Sequence, residues 1–137
     1  MTIRGNCSCK NIEVMWHTVD HGLVPRACQC SYCKSKGAAY VSKSGTKVEI
    51  LIKNEEQHKT TQHGSKTAVF HECKYCSEIV FVSAEIDGSL YCALNANILY
   101  NKYGFSESVE TDFSNQTQEQ KRVRWSQNWC QQVLITS

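Results

Sequence analysis

The 137-residue chain has no apolar run approaching the ~20 residues needed to cross a bilayer, so no membrane-spanning helix is expected. It also has no strong excess of either charge. Lysine plus arginine total 15 against 13 acidic residues, a net charge of +2. Nucleic-acid binding needs a concentrated basic face, and this balance supplies none. The one local cluster, Lys121, Arg122 and Arg124, reads as a solvated helix face. No internal repeat or low-complexity tract is visible. The chain begins Met1-Thr2-Ile3-Arg4, without an apolar signal segment, so a reducing, cytoplasmic setting is the expectation. Hydrophobic content of 41% supports a packed core. One domain over 1–137 is expected, long enough to bury about 68% of its unfolded surface.

What the chain does have is sulfur. Seven of its nine cysteines fall into three tight clusters: Cys7 with Cys9, Cys28 with Cys30 and Cys33, and Cys73 with Cys76. Disulfides fit poorly, because a reducing setting is expected, close neighbours such as Cys7 and Cys9 make poor partners, and the total is odd. A thioredoxin-like pair would open a helix in a βαβ unit, and no such pattern surrounds Cys30–Cys33 or Cys73–Cys76. An iron–sulfur cluster stays open on thiolate spacing. The favoured reading is zinc, a soft tetrahedral ion that takes four ligands when structural and three when catalytic. Seven divides into four and three. In the simplest partition Cys7, Cys9, Cys73 and Cys76 form a closed site, while Cys28, Cys30 and Cys33 wrap a second ion with one corner vacant.

Period-two patterns dominate the chain and predict strands. Ile12, Val14 and Trp16 alternate with Glu13, Met15 and His17; Val48, Ile50 and Ile52 alternate with Glu49, Leu51 and Lys53. Ala39 to Val41, Ala68 to Phe70 and Ile79 to Val82 are shorter candidates. Leu90, Cys92 and Leu94 follow Asp87-Gly88, a strong hairpin signal. Asn54 to Lys66 reads as a loop or weak hairpin. Gly5 is expected to allow unusual dihedral angles before the first cysteines. The C-terminal segment 115–134 reads as a helix with Trp125, Trp129 and Val133 in one stripe, Val123, Cys130 and Leu134 beside it, and Ser114, Asn115 or Thr117 as its cap.

Gly5-Asn6-Cys7-Ser8-Cys9 with Ile12, then Cys28-Gln29-Cys30-Ser31-Tyr32-Cys33, Gly37-Ala38, and Phe70 through Cys73-Lys74-Tyr75-Cys76 together carry a family resemblance. The chain resembles the glutathione-dependent formaldehyde-activating enzyme family, which includes centromere protein V. The likeness runs from Gly5 to about Asn95, the expected core 5–95, and the tail from Arg122 to Trp129 resembles the end of some members. The resemblance implies a mainly β architecture of the β-tent type, with folded antiparallel sheets stabilised by zinc and a C-terminal helix. It implies a structural zinc on Cys7, Cys9, Cys73 and Cys76, and a second, labile zinc at an active site of Cys28, Cys30 and Cys33. The implied activity is a carbon–sulfur lyase joining glutathione and formaldehyde into S-(hydroxymethyl)glutathione. Ser77 stands where many members have glycine, and Gln29 where many have histidine.

Two function classes follow. In one, a small thiol such as glutathione enters the vacant corner at Cys28, Cys30 and Cys33, loses its proton and adds to a small aldehyde. In the other, a non-catalytic zinc module has a structural or partner-binding role. His17, His21, His58, His63 and His71 are candidate ligands or proton carriers, with His71 and His21 nearest the cysteines in sequence. Cys92 and Cys130 read as small buried hydrophobes, and Tyr32, Tyr40 and Tyr75 as packing residues near the clusters.

Overall fold

The computed structural model describes residues 2–17, 23–28, 31–62, 68–100, 109–111 and 116–136. Two sheets and one long helix build it in three layers. The first sheet contains four strands in the order β1 (Thr2–Asn6), β2 (Ile12–His17), β5 (Lys47–Ile52) and β11 (Gln132–Thr136). The second contains seven, in the order β10 (Val109–Thr111), β3 (Arg26–Cys28), β4 (Ala39–Val41), β9 (Ser89–Asn95), β8 (Glu78–Ile86), β7 (Val69–Cys73) and β6 (His58–Thr61). Pairing is antiparallel except at two edges, where β11 runs parallel to β5 and β10 parallel to β3. The mainly β architecture expected from the sequence is the one observed.

Alternation decides which face each strand buries. On β2, Ile12, Val14 and Trp16 point inward, and on β5 Val48, Ile50 and Ile52 do the same. They meet Val41, Phe81, Cys92 and Leu94 of the large sheet to form the inter-sheet core. The opposite face of the large sheet offers Tyr40, Val82, Ala84 and Ala93 to Trp125 and Trp129. Both faces of the central strands are therefore covered, so β4 is buried throughout and Cys92, Ala93, Leu94 and Asn95 are buried in succession. At the β8–β9 hairpin, Asp87 and Gly88 have φ of 52° and 81°, the two left-handed residues of a tight turn joining Ile86 to Ser89.

The C-terminal segment differs from the expected 115–134 helix. Helix α2 spans Gln118–Asn128, and Gln132–Thr136 is strand β11. Thr117 caps the helix in a reciprocal capping box with Gln120, while Ser114 and Asn115 lie outside the described residues. Trp125 and Trp129 stack at 4.7 Å between ring centroids, as one apolar stripe should. Val133 does not continue that stripe. Trp129 takes an extended conformation, the chain crosses to the small sheet, and Val133 packs into the inter-sheet core. The β-branched residues of the tail gain a sheet edge by this exchange, which outweighs one further helical turn.

Candidate metal centre

The four-sulfur site is built from two turns at strand ends. The first lies between β1 and β2: the Lys10 N–H donates to the Cys7 carbonyl at 2.9 Å and the Cys7 N–H to the Ile12 carbonyl at 3.1 Å. Lys10 holds φ of 65° to close it. The second turn joins β7 to β8, where the Ser77 N–H donates to the Cys73 carbonyl at 2.8 Å. Ser77 sits at φ of 56°, in the left-handed region that glycine occupies without strain, so this knuckle turns without glycine at a conformational cost. Gly5 serves differently from expectation. Its φ is not in the left-handed region; a Cβ there would lie 2.2 Å from the Ile98 carbonyl oxygen, so the position requires space.

Neighbouring groups lock the two turns together. The Ser8 N–H donates to the Glu78 carboxylate at 2.8 Å, bridging the knuckles. The Lys74 N–H donates to the Gln57 carbonyl at 2.8 Å. Buried Asn11 exchanges hydrogen bonds with the Asn54 backbone at 2.8 and 3.0 Å, fixing the first turn against the end of β5.

The result is a convergence of Cys7, Cys9, Cys73 and Cys76, whose sulfurs all lie within 4.8 Å of one another. Cys9 Sγ is 3.4 Å from Cys73 Sγ and 3.7 Å from Cys7 Sγ. Four sulfurs around a zinc at ~2.3 Å stand ~3.8 Å apart, so the donor set fits a tetrahedral thiophilic ion. Backbone N–H groups also aim at the sulfurs: Cys9 N lies 3.1 Å from Cys76 Sγ and Ile12 N 3.4 Å from Cys7 Sγ. Such donors stabilise thiolates. The Asn11 backbone N–H holds the Cys9 thiol down to about 7, against the effect of burial. Burial pushes the Cys7 and Cys76 thiols up. Four thiolates this close repel one another, and a divalent cation would offset that repulsion. The cluster could hold a metal ion such as zinc.

In fold the chain is similar to a Rhodobacter sphaeroides protein known from its crystal structure, with a TM-score of 0.57 and 20% sequence identity over 75% of this chain and 99% of that one. The similarity is one of fold. No protein-family model matches the sequence, and no curated protein matches it.

The central cluster is seen only in part. Residues 29–30 lie outside the described residues, as does the side chain of Cys28 at the end of β3. Cys33 is described. It lies on helix α1 (Ser31–Lys36), fully buried, with its Sγ 3.2 Å from the Tyr40 hydroxyl. Gly37, at φ of 67°, ends that helix, and the Ala38 N–H returns to the Cys33 carbonyl at 3.1 Å.

Sequence reasoning passed over Glu72. It is 4% exposed, its Oε1 lies 3.2 Å from Lys36 Nζ of α1, and its Oε2 has no partner among the described residues. Its position directly before Cys73 was the available signal.

The described histidines, His17, His58 and His71, do not join the sulfur cluster. His71 is buried, stacked on Phe81 at 3.9 Å, with Nε2 2.7 Å from Ser83 Oγ and Nδ1 2.9 Å from His58 Nε2. Burial, with His58 adding, pushes His71 down to about 3 and keeps it neutral. His17 instead sits 2.6 Å from Glu49. His21, His63 and the side chain of Tyr32 lie outside the described residues. Tyr75 is 71% exposed, so it does not pack. No described helix is long and apolar enough to cross a membrane.

Proposed function

We propose that this chain is a zinc protein of the formaldehyde-activating type, with a structural zinc on Cys7, Cys9, Cys73 and Cys76 and a second zinc on Cys28, Cys30 and Cys33. The convergence of four sulfurs from the β1–β2 and β7–β8 turns carries this reading. It uses four of the seven clustered cysteines and leaves the other three as a separate set on β3, α1 and the residues joining them. Among the described residues no histidine or carboxylate joins the four sulfurs, and an all-sulfur donor set favours zinc over harder cations.

A zinc held by three cysteines would supply an open coordination position for a thiol such as glutathione, lowering that thiol's proton affinity beside formaldehyde or a related small aldehyde. The chain's own residues set the surroundings. Cys33 is fixed by burial and by the 3.2 Å contact of its Sγ with the Tyr40 hydroxyl. Lys36, one helical turn beyond Cys33, ties α1 to Glu72 at 3.2 Å and to the Ser77 carbonyl at 2.8 Å. The two cysteine regions are thereby mechanically joined.

Cys30→Ala tests the proposal: the variant should keep one metal ion, lose the second, and lose glutathione–formaldehyde adduct formation. Unchanged turnover would remove the enzyme reading. The second reading, a module in which metal serves the fold alone, is favoured by the closed, four-donor character of the sulfur group. One equivalent of tightly held zinc and no thiol-exchangeable ion would establish it.

A further inference from the structure

Cys92 and Cys130 belong to neither metal set, yet the fold brings them face to face. Cys92 lies within β9, and Cys130 follows the tryptophans of α2. They form an isolated antiparallel bridge in which each backbone N–H donates to the other's carbonyl, Cys92 to Cys130 at 3.1 Å and Cys130 to Cys92 at 2.9 Å. A pair that exchanges both bonds places its Cα atoms ~5.5 Å apart and its side chains on one face. That separation lies inside the ~4.4–6.8 Å range of disulfides. Both residues are fully buried in the inter-sheet core.

We propose that Cys92 and Cys130 are a paired oxidation site, which hydrogen peroxide converts into a disulfide stapling the C-terminal segment to β9. The two thiols are not equivalent. The Cys92 thiol beside it is the largest influence holding Cys130 down to about 7 against burial, so Cys130 is the first nucleophile. Its thiolate attacks one oxygen of peroxide, the O–O bond breaks, and the product is a sulfenic acid plus one water after proton transfer. Cys92 then attacks that sulfur, the S–O bond breaks, and a second water leaves as the S–S bond forms. In sum two thiols and one peroxide give one disulfide and two waters. Peroxide is about the size of water and needs little room. Both thiols are fully buried, so the oxidant enters through local opening of the segment that follows α2, without global unfolding.

The bond would close a loop of about 40 residues containing α2, and a constraint of that size should raise the melting temperature by about 10 °C. Protein purified with zinc and dithiothreitol is desalted and treated with one equivalent of hydrogen peroxide. Free thiols are alkylated in guanidinium, and the chain is digested without reductant for mass spectrometry. The expected result is a linked peptide pair containing Cys92 and Cys130, two hydrogens lighter than the sum and resolved by dithiothreitol. The melting rise should accompany it and vanish in Cys130→Ser. Recovery of Cys92 and Cys130 as alkylated thiols while other cysteines oxidise overturns the proposal, as does their linkage to other cysteines. A correct link with an unchanged melting temperature overturns the staple. If Cys130→Ser does not fold, the peptide map of the unaltered chain decides by itself.

Discussion

The face of the seven-stranded sheet turned toward the small sheet gathers Cys7, Cys73, Cys92 and Cys130 among aliphatic residues, whereas the face turned toward α2 is closed by Trp125 and Trp129. The first face combines burial with directional chemistry: sulfurs converge at one end, and buried His71 bonds to Ser83. The second relies on area, as two stacked indoles cover Val82, Ala84 and Ala93. Area tolerates repacking, while a donor set with four sulfurs in fixed positions does not. The contrast assigns the sharpest sensitivity to the sulfur face.

The largest effect is expected from removing one sulfur. Cys73→Ala should abolish retention of the ion held by the four sulfurs and cost about 5 kcal/mol or more, because the remaining three thiols lose the ion that joins two distant turns. Metal content and urea unfolding check it; full metal retention with an unchanged midpoint would erase the distinction between the faces. Trp125→Ala should cost about 3–5 kcal/mol while leaving metal content intact, since it empties the helix-side core alone. Loss of metal in that variant would show the two faces to be one cooperative unit.

Acidification gives a smaller, graded test of the sulfur face. His71 titrates at about 3 when folded against 6.5 for an unperturbed histidine, so the unfolded chain binds the extra proton between those values. The stability held by neutral His71 is therefore present above pH 6.5 and lost as pH falls toward 3, by at most about 1.4 kcal/mol per unit. The difference in stability between the unaltered chain and His71→Phe, followed by urea unfolding from about pH 7 to about pH 4, should shrink accordingly. A constant difference would place the histidine in exposed surroundings. The smallest effect is Thr117→Ala, about 1 kcal/mol from loss of the helix cap, with metal binding untouched.

Much of the fold can be read in the chain before any coordinates. Ile12, Val14 and Trp16 bury alternate positions as the pattern implies, since β2 has one covered and one outer face. Asp87-Gly88 forms the turn its residues favour. The central strands are harder to read, because with both faces covered the alternation that marks a strand disappears. The tail misleads for a related reason. Trp125, Trp129 and Val133 satisfy helical spacing, but Val133 and Ile135 equally satisfy strand spacing, and the free edge of β5 decides between them. Gly5 was legible as an unusual position, though its cause, the approach of the Ile98 carbonyl, comes from a segment distant in sequence.

Local spacing was sufficient to mark the sulfur pairs, because a metal knuckle is a property of a few consecutive residues. It also sufficed for the outer strands, whose two faces meet different surroundings. Which pairs share a centre, the meeting of Cys92 with Cys130, and the burial of Glu72 depend on contacts between residues far apart in the chain. Such contacts form only when the sheets close on one another. Their free energy comes from surfaces that no single segment contains.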